Sequence, residues 1–305
     1  GANTLLSLSG AIAKAQAQSL KIPLYKYIAA LTKEDKKLDV PAPMFNILNG
    51  GLHGGKNLDF QEYLLVPQAN VAYSKALRTG VEIYYALKEV IVAHNGLVLL
   101  GDEGGYAPTL YANIDGFKIM EEATIKAGYQ LGIDVFFSMD VAASNLKIGG
   151  AYKVKDRPVS MNGGDFIDFY KSLLEQYHLL SIEDPLGEDD WGDWEKMVSQ
   201  LGAETIIIGD DLITTNMDRL KKAIQNKAVT GVIIKPNQVG TITETLEVVK
   251  EAKAAGFKIV TSHRSGETND DFIADFAVGI GSDYVKFGAP ARGERVAKYN
   301  RLLQV

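Results

Sequence analysis

The chain has 305 residues, 46% of them hydrophobic and 23% charged, which is typical of a globular protein with a large core and disfavours disorder. Its formal net charge of −6 argues against a nucleic-acid-binding protein, because that class carries a clustered basic face. The absence of cysteine excludes disulfides, thiolate zinc sites and a cysteine nucleophile. No apolar run approaches the ~18 residues of a membrane span and no signal pattern opens the chain, so we expect a cytoplasmic protein.

The chain begins with two segments of helical periodicity. Apolar residues recur at helical spacing over residues 3–18 and 24–31, and both helices are expected to pack outside the main fold. The charged residues 33–37 are expected to form a solvated loop. We therefore interpret residues 1–38 as a helical lead-in to the domain that follows.

Segments typical of strands and helices alternate through the rest of the chain. Strand-like runs at 45–48 and 62–66 flank a glycine-rich loop, and helices are expected over 73–93, 114–127, 217–228 and 242–254. Alternation of this kind predicts parallel strands joined by crossover helices. Single α/β barrels of about 250 residues or more are common, so we predict one TIM-type (β/α)8 barrel within residues 1–305.

Polar residues recur where an apolar strand-like run ends and a loop begins. The residues in this position are Glu103, Asp140, Glu183, Asp210, Lys235 and His263. In a closed parallel barrel the C-terminal strand ends meet at one rim, so these side chains are expected to converge. Crowded carboxylates cannot all stay ionised without a cation, so the pattern predicts a metal and proton-transfer chemistry.

Three of these acids, Asp140, Glu183 and Asp210, follow strand-like runs that we take to be successive. Hard oxygen ligands without a nearby histidine or cysteine select Mg²⁺, with water and substrate filling the remaining positions. Each acid taken alone is explained equally well as a helix cap. At Asp210 the capping position falls later, at residues 214–216, which leaves this carboxylate free.

Lys235 and Lys286 also follow strand-like runs. A lysine that faces the inside of a barrel needs a partner for its charge. One interpretation makes such a lysine the general base that removes a proton, and the other makes each lysine only a counterion for neighbouring acids. Gln61 and Glu62 are expected near Glu103, where two carboxyls would share a proton and supply a general acid.

The segment Ser-His-Arg-Ser-Gly-Glu-Thr at residues 262–268 precedes a predicted helix at 270–277. The guanidinium of Arg264 and the hydroxyl of Ser265 near a helix N-terminus suit a phosphate group. Of the four histidines, His263 in this segment and His53 in the glycine-rich loop are retained as candidates for the site.

Six sequence segments occur in an order that points to one family. They are Gly-Asp-Glu-Gly-Gly at 101–105, Met-Asp-Val-Ala-Ala-Ser at 139–144, Ser-Ile-Glu-Asp-Pro at 181–185, Gly-Asp-Asp-Leu at 209–212, Lys-Pro-Asn-Gln at 235–238 and the segment at 262–268. They closely resemble the enolase family. The resemblance implies a barrel of the enolase kind that carries out the Mg²⁺-dependent, reversible dehydration of 2-phosphoglycerate to phosphoenolpyruvate in glycolysis and gluconeogenesis.

The resemblance also implies a role for each candidate residue. Asp140, Glu183 and Asp210 would bind the Mg²⁺ that holds the substrate carboxylate, and Lys235 would remove the proton next to it. Glu103, helped by Glu62 and Gln61, would protonate the departing hydroxyl. Arg264 and Ser265 would bind the phosphate, and Lys286, His263 and His53 would complete the pocket.

The sequence departs from the family in two ways. Enolases carry a small α+β domain before the barrel, and a flexible loop of that domain supplies a serine to a second Mg²⁺ and closes the site. The chain begins where that domain would have ended, so we expect Mg²⁺ binding with weak or no turnover unless the domain is supplied. Leu52 and Gly54 also replace the serine and alanine usual beside the histidine.

Two alternatives remain open. A related enzyme acting on another carboxylate is disfavoured, because such relatives lack the segment at 262–268. A non-catalytic, enolase-derived binding or assembly protein is the alternative of a different class, supported only by the length of the chain. The expected partners are a small phosphorylated carboxylate substrate and, as in the family, further copies of the chain, with no nucleic acid and no membrane.

Overall fold

The computed structural model describes residues 1–33 and 38–305. Its helices are α1 (Ala2–Ser19), α2 (Leu24–Thr32), α3 (Tyr73–Ala93), α4 (Asn113–Lys126), α5 (Gly163–Tyr177), α6 (Trp191–Leu201), α7 (Met217–Gln225), α8 (Pro236–Val239), α9 (Ile242–Ala254), α10 (Phe272–Gly279) and α11 (Gly293–Leu302). Its strands are β1 (Ala42–Asn49), β2 (Glu62–Pro67), β3 (Val135–Asp140), β4 (Lys147–Ile148), β5 (Ala151–Tyr152), β6 (Leu179–Glu183), β7 (Ile206–Gly209), β8 (Gly231–Ile234), β9 (Lys258–Ser262) and β10 (Tyr284–Lys286). No helix in these ranges is both long and apolar enough to cross a membrane. The loop predicted at 33–37 falls mainly on residues 34–37, which lie outside the described residues.

Eight strands form a closed barrel in the order β1, β10, β9, β8, β7, β6, β3, β2, while β4 and β5 form a separate hairpin. Helices pack on the outer faces of the strands: α3 on β1 and β2, α6 on β7, and α9 on β8 and β9. The predicted TIM-type α/β barrel is therefore confirmed. One detail differs from a fully parallel barrel, because β2 is antiparallel to both β1 and β3.

The direction of β2 follows from its connections. A loop without a helix joins β1 to β2, and such a connection joins antiparallel neighbours, whereas parallel strands need a crossover. Two helices follow β2, and an up-and-down helix pair returns the chain to the end of the barrel where β2 finished. As a result β2 begins at the rim where its parallel neighbours end, and its first residue, Glu62, lies opposite Asp140.

The side chains inside the barrel change from apolar to polar along the strands. An apolar cluster of buried side chains fills one part, formed by Met44, Leu64, Val66, Ile208, Ile233 and Val260. Because side chains alternate across a strand, positions two residues apart face the same way. The positions next in line towards the rim are Asn46, Glu62, Asp210, Lys235 and Ser262. A polar layer therefore lies directly above an apolar layer.

The two helices at the start of the chain pack on one side of the barrel. α1 contacts α2, α8 and α9, and α2 packs against α10. Ile28 is fully buried against Gly279, where a Cβ would lie 2.5 Å from the Cβ of Ile28, so this close approach requires glycine. Lys14 of α1 adds an ion pair of 2.7 Å with Asp270. The interpretation of residues 1–38 as a lead-in stays a prediction.

The strand expected just before Glu103 is not formed. Residues 98–100 are irregular apart from one bridge between Leu100 and Tyr106. Leu99 and Leu100 are about half exposed, at 54% and 50%. The eight strands of the barrel close on one another, so this short apolar run has no sheet edge to join, and Glu103 reaches the rim from a loop.

Candidate active site

The polar ends of the strands surround a cavity of about 170 Å³. The candidate residues that line it are His53, Gln61, Glu62, Glu103, Asp140, Asp210, Lys235, His263, Arg264, Ser265 and Lys286. The remaining candidate, Glu183, adjoins the cavity through Lys286, whose Nζ lies 2.8 Å from its Oε1. The structure therefore brings all the candidates from the sequence to one rim.

The ends of the parallel strands fix most of these side chains. Asp140 and Glu183 are the last residues of β3 and β6 and are paired in register. Asp210, Lys235 and His263 directly follow β7, β8 and β9. Because parallel strands end at the same side of a barrel, residues far apart in the sequence become neighbours.

Lys286 is a buried counterion among the acids. Its Nζ lies 2.8 Å from Glu183 Oε1, 3.1 Å from Glu62 Oε2 and 3.3 Å from Asp140 Oδ2. Burial alone would lower the pKa of Lys286, but the carboxylates, with Glu183 foremost, raise it well above its usual value. Lys286 is thus a fixed cation, which leaves Lys235 as the candidate base.

Lys235 forms an ion pair with Asp210. Its Nζ binds Asp210 Oδ2, and its backbone N–H donates to Thr215 Oγ1 at 3.0 Å. Burial opposes the charge on Lys235, yet Asp210 outweighs burial and raises the pKa, while Lys286 acts in the opposite direction. Lys235 is therefore protonated. It can act as a base only when the electrostatic attraction of Asp210 for the charged ammonium group is offset.

Asp210 has one oxygen available for a ligand. Asn216 caps α7, because its side chain accepts hydrogen bonds from the backbone N–H groups of Asp218 and Arg219, so Asp210 has no capping role. Its Oδ1 is buried and finds no hydrogen-bond partner among residues 1–33 and 38–305. A buried carboxylate oxygen that lacks a hydrogen-bond partner is well suited to bind a cation.

The chemistry of the cavity fits Mg²⁺. Carboxylates outnumber lysine and arginine side chains in its lining by six to three, and burial together with Asp140 raises the pKa of Glu183 well above its usual value. Such an excess of oxygen donors and negative charge suits a hard divalent cation. Asp140, Glu183 and Asp210 remain the hypothesis for its ligands.

A second acidic group lies beside these three residues. Oxygens of Asp184, Asp210 and Asp211 lie within 4.8 Å of one another, which is close enough to hold a metal. However, Asp184 already accepts the backbone N–H groups of Asp210 at 2.9 Å and Asp211 at 2.8 Å. We interpret Asp184 as a residue that shapes the loop after β7.

Glu62 and Glu103 meet beside His53. The Nδ1 atom of His53 lies 3.4 Å from Glu62 Oε1 and 3.8 Å from Glu103 Oε1. Burial and the charge of Glu103 raise the pKa of Glu62. The pKa of Glu103 lies well below its usual value, because His263, Lys286 and His53 outweigh its burial. Of the two carboxyls, Glu62 therefore holds a proton more readily than Glu103.

Glu103 is contacted by two hydrogen-bond donors and an imidazole from separate parts of the chain. Asn46 Nδ2 donates to its Oε2 at 3.0 Å, and Ser265 Oγ donates to its Oε1 at 3.0 Å. His263 Nε2 lies 3.0 Å from Oε2. Asn46 was not identified from the sequence, although its inward-facing position two residues after Met44 is a signal that could have found it.

Arg264 and Ser265 lie where the cavity opens to solvent. Arg264 is exposed, and its Nη1 donates to Asn237 Oδ1 at 3.0 Å. Ser265 Oγ lies 3.1 Å from His53 Nε2, so it links the loop after β9 to the glycine-rich loop. An anionic group of a ligand would meet these two donors on entering.

Arg295 is a buried site residue that sequence reasoning missed. It lies on α11, is 1% exposed, and its Nη1 is 2.7 Å from His263 Nδ1. The buried residues of α11 are Arg295, Lys298, Tyr299 and Leu302, which recur at helical spacing. Charged residues on the buried face of an amphipathic helix were the available signal.

Comparison with known proteins agrees with the geometry of the rim. The family model described as the enolase C-terminal TIM barrel domain matches residues 37–305. The chain belongs to the enolase family. The enolase of Helicobacter pylori is 42% identical over 306 residues, covering 100% of this chain and 71% of the relative. The enolase of Beutenbergia cavernae is 44% identical over 305 residues, covering 100% of this chain and 70% of the relative.

The enolase assignment agrees with the resemblance seen in the sequence. It places the chain in a family of lyases and identifies it as the C-terminal portion of the longer relatives that it matches. The individual roles of the site residues in this enolase barrel are proposals.

Proposed function

We propose that this enolase barrel catalyses the reversible, Mg²⁺-dependent dehydration of 2-phosphoglycerate to phosphoenolpyruvate, in glycolysis and gluconeogenesis and in the cytoplasm. The observation that carries the proposal is the placement of a lysine and an acid pair across one small cavity. Lys235 follows β8 and Glu62 begins β2, and these strands are four positions apart in either direction around the barrel. The base and the acid therefore approach a ligand from opposite sides.

Opposite placement suits this elimination. The C–H bond beside the substrate carboxylate breaks when Lys235 Nζ, in its neutral form, accepts the proton. The C–O bond on the adjacent carbon then breaks, and the hydroxyl leaves as water with a proton from the acid pair. Asp140, Glu183 and Asp210 would hold Mg²⁺, which would supply positive charge for the negative charge that develops on the substrate carboxylate.

The raised pKa of Lys235 means that this lysine must lose its proton before it can act as the base. Lys286 stays charged and disfavours a proton on Lys235, because the two ammonium groups repel each other. On the other side, the raised pKa of Glu62 makes it the more readily protonated member of the acid pair, and Glu103 accepts hydrogen bonds from Asn46 and Ser265. Gln61 lines the cavity beside Glu62 and offers its amide to the departing hydroxyl.

The remaining candidates bind the phosphate end of the substrate. Arg264 supplies a fixed positive charge with several N–H donors, which suits phosphate oxygens. Ser265 adds a hydroxyl, and His53 stands behind it at 3.1 Å. The pKa of His53 is raised, because the hydrogen bond and charge of Glu62 outweigh its burial, so His53 can add positive charge here.

Turnover by the 305-residue chain is expected to be weak, because Arg264 is open to solvent and water weakens electrostatic stabilisation. The test measures growth of phosphoenolpyruvate absorbance with saturating Mg²⁺ in the parent, in Lys235→Ala and in Lys258→Ala. Lys258 is a matched surface lysine, 51% exposed by its side chain and paired with Asp283. Activity in the parent and in Lys258→Ala, with loss in Lys235→Ala, supports the proposal.

Two other outcomes contradict it. Equal activity in all three proteins would mean that Lys235 is not the base. No activity in the parent at any Mg²⁺ concentration would favour the non-catalytic binding or assembly protein for this chain. Calorimetric titration of Mg²⁺ into the parent and Asp210→Ala tests the proposed ligand set independently of turnover, because a scaffold that has kept its acids would still bind the ion.

We further propose that residues 1–305 act as one barrel domain with residues 1–38 as its lead-in, and that the protein forms homo-oligomers. The contacts of α2 with α10 support the first part. Family membership supports the second. Sedimentation of the purified chain tests oligomer formation, and a monomer at all concentrations would contradict it.

A further inference from the structure

Arg295 joins the two loops that carry the donors and the acid of the site. Its Nη1 lies 2.7 Å from His263 Nδ1 and donates to the carbonyl of Arg264 at 2.7 Å. Its Nη2 donates to the carbonyls of Ser265 at 2.6 Å and Asp102 at 3.2 Å. The guanidinium thereby connects the loop after β9 with the loop that carries Glu103.

In the hydrogen bond between Arg295 and His263, the chemistry of the two groups fixes which one is the donor. A guanidinium has five N–H donors and no acceptor, and it stays protonated in proteins. An imidazole nitrogen that receives such a donor must present its lone pair. Nδ1 of His263 is therefore the unprotonated nitrogen, and the single ring proton of a neutral imidazole lies on Nε2.

We propose that Arg295 is a positioning residue that fixes His263 as the Nε2–H tautomer and so presents this N–H to Glu103. Nε2 lies 3.0 Å from Glu103 Oε2, although the two groups are not aligned as an ideal hydrogen bond. In the other tautomer, two N–H groups would face each other at Nδ1, and a lone pair would face the carboxylate at Nε2. Both contacts would be repulsive, and both nitrogens therefore select the same form.

The surroundings of His263 favour a neutral ring. His263 is 2% exposed, and the charged groups that face it are Glu103, Arg295 and Lys286. Burial lowers the pKa of His263, and Arg295 and Lys286 add to this effect, while Glu103 opposes it. A neutral ring with a fixed tautomer donates one hydrogen bond in a constant direction.

Arg295 and His263 both pack closely against Gly288. Gly288 has a φ of 86°, and a Cβ at this position would lie 2.9 Å from His263 Cε1 and 3.0 Å from Arg295 Cδ. Glycine therefore permits both the left-handed backbone and the close approach of the imidazole and the arginine stem. Behind the guanidinium, Nε of Arg295 lies 3.7 Å from Glu294 Oε1.

The consequence for catalysis rests on the proposed function, because Glu103 is there part of the acid pair. An N–H group held beside Oε2 favours the ionised form of Glu103 over its protonated form. The tautomer itself can be measured without substrate or Mg²⁺. A wrong proposal for the reaction would therefore leave the tautomer measurement unaffected.

The test is nitrogen NMR of the 305-residue chain labelled with ¹⁵N at histidine, which resolves protonated from unprotonated ring nitrogens. The chain has four histidines, and His263 is assigned as the signal lost in His263→Gln. The parent is expected to show His263 protonated at Nε2 alone. Arg295→Leu is expected to lose this state, with a proton appearing on Nδ1.

Arg301→Leu is the matched control. Arg301 lies on the same helix and pairs with Asp275 at 2.7 Å, away from His263, so its loss perturbs α11 without changing the ring. Arg295→Lys retains the positive charge and is expected to restore part of the Nε2–H signal.

A parent protein with Nδ1–H at His263 would overturn the proposal, and this result needs only the parent and the assignment variant. An unchanged tautomer in a folded Arg295→Leu would overturn it as well. If Arg295→Leu does not fold, Arg295→Lys and the parent measurement decide.

Discussion

The interior of the barrel contains two layers built on the same strands with opposite physical chemistry. One layer is apolar and its buried side chains need only one another. The polar layer, two residues nearer the rim, holds Glu62, Asp210 and Lys235. Their buried charges are stabilised by the ion pairs of Lys235 with Asp210 and of Lys286 with Glu62. The difference teaches that strand geometry supplies the position of a functional group, while the neighbouring charges supply its state.

The two lysines of the polar layer show how strongly neighbouring charges determine the role of a side chain. Lys286 touches three carboxylates and is a permanent counterion, whereas Lys235 forms an ion pair with Asp210 and is opposed by Lys286. The sequence predicted that both lysines lie at strand ends, and it left open whether each acts as a base or as a counterion. Their different partners divide the two roles between them.

The largest expected effect is the removal of the central charge. Lys286→Met leaves Glu62, Asp140 and Glu183 buried without their cation, and breaking a buried pair in this way costs about 3–5 kcal/mol of unfolding free energy. Urea unfolding without Mg²⁺ measures the loss. The exposed pair of Lys258 with Asp283 is the control, and Lys258→Met should cost less than about 1 kcal/mol. Similar losses in the two variants would remove the distinction between the layer and the surface.

The second-largest expected effect is the stabilisation of the polar layer by Mg²⁺. An ion that binds only the folded protein adds about 2.7 kcal/mol at a concentration one hundred times its Kd, which is read as a rise in Tm. Glu183→Gln should reduce this gain, because Glu183 belongs to the proposed ligand set. Asp211→Asn should preserve it, and the opposite pattern would transfer the ion to the group formed by Asp184, Asp210 and Asp211.

A smaller effect is expected in the apolar layer. Ile233→Val removes one buried methyl group and should lower the unfolding free energy by about 0.5–1.5 kcal/mol. Because the change lies one layer away from the acids, calorimetry should give an unchanged Mg²⁺ affinity. A weakened affinity would show that the two layers are coupled rather than stacked independently.

The smallest effects are pH shifts of opposite sign at the two histidines beside Glu103. The pKa of His53 is raised, because the hydrogen bond and charge of Glu62 outweigh burial, with Glu103 and Asp140 also nearby. Its contribution to stability is therefore present below the unfolded value of about 6.5 and lost as the pH rises through the folded pKa. The pKa of His263 is lowered by burial, so its contribution is present above about 6.5 and lost as the pH falls.

Urea unfolding at about pH 8 and about pH 6 compares the parent with single variants. His53→Gln should make the protein gain less, or lose more, stability than the parent on acidification. His263→Gln should do the reverse. Changes of the same sign in both variants would contradict the different environments assigned to the two rings.

Several elements of the fold were predictable because their signals are local. The helices expected at 73–93 and 242–254 coincide with α3 and α9, since helical periodicity is carried by the residues of the helix itself. The run at 98–100 misled for the same reason. Four apolar residues in a row, from Leu97 to Leu100, satisfy the local pattern of a strand, but a strand also needs a partner, and the closed barrel offers none.

The site shows the same division. Asp140, Glu183, Asp210, Lys235 and Lys286 were found because each stands at the end of an apolar run, and strand ends converge in a barrel. Asn46 and Arg295 were not found, because neither stands at such an end. Their roles depend on which loop crosses near them, and such contacts join residues that are far apart in the chain.

The sequence by itself determined the family, the barrel and the set of residues at its rim, because periodicity, strand ends and collinear motifs are properties of the chain in order. Only the tertiary structure decided the antiparallel direction of β2, the partners of each lysine, the opposite pKa shifts of Glu62 and Glu103 and the contact of Arg295 with His263. These features depend on distances of a few ångströms between groups remote in sequence, and electrostatic energies change steeply over such distances in a buried site.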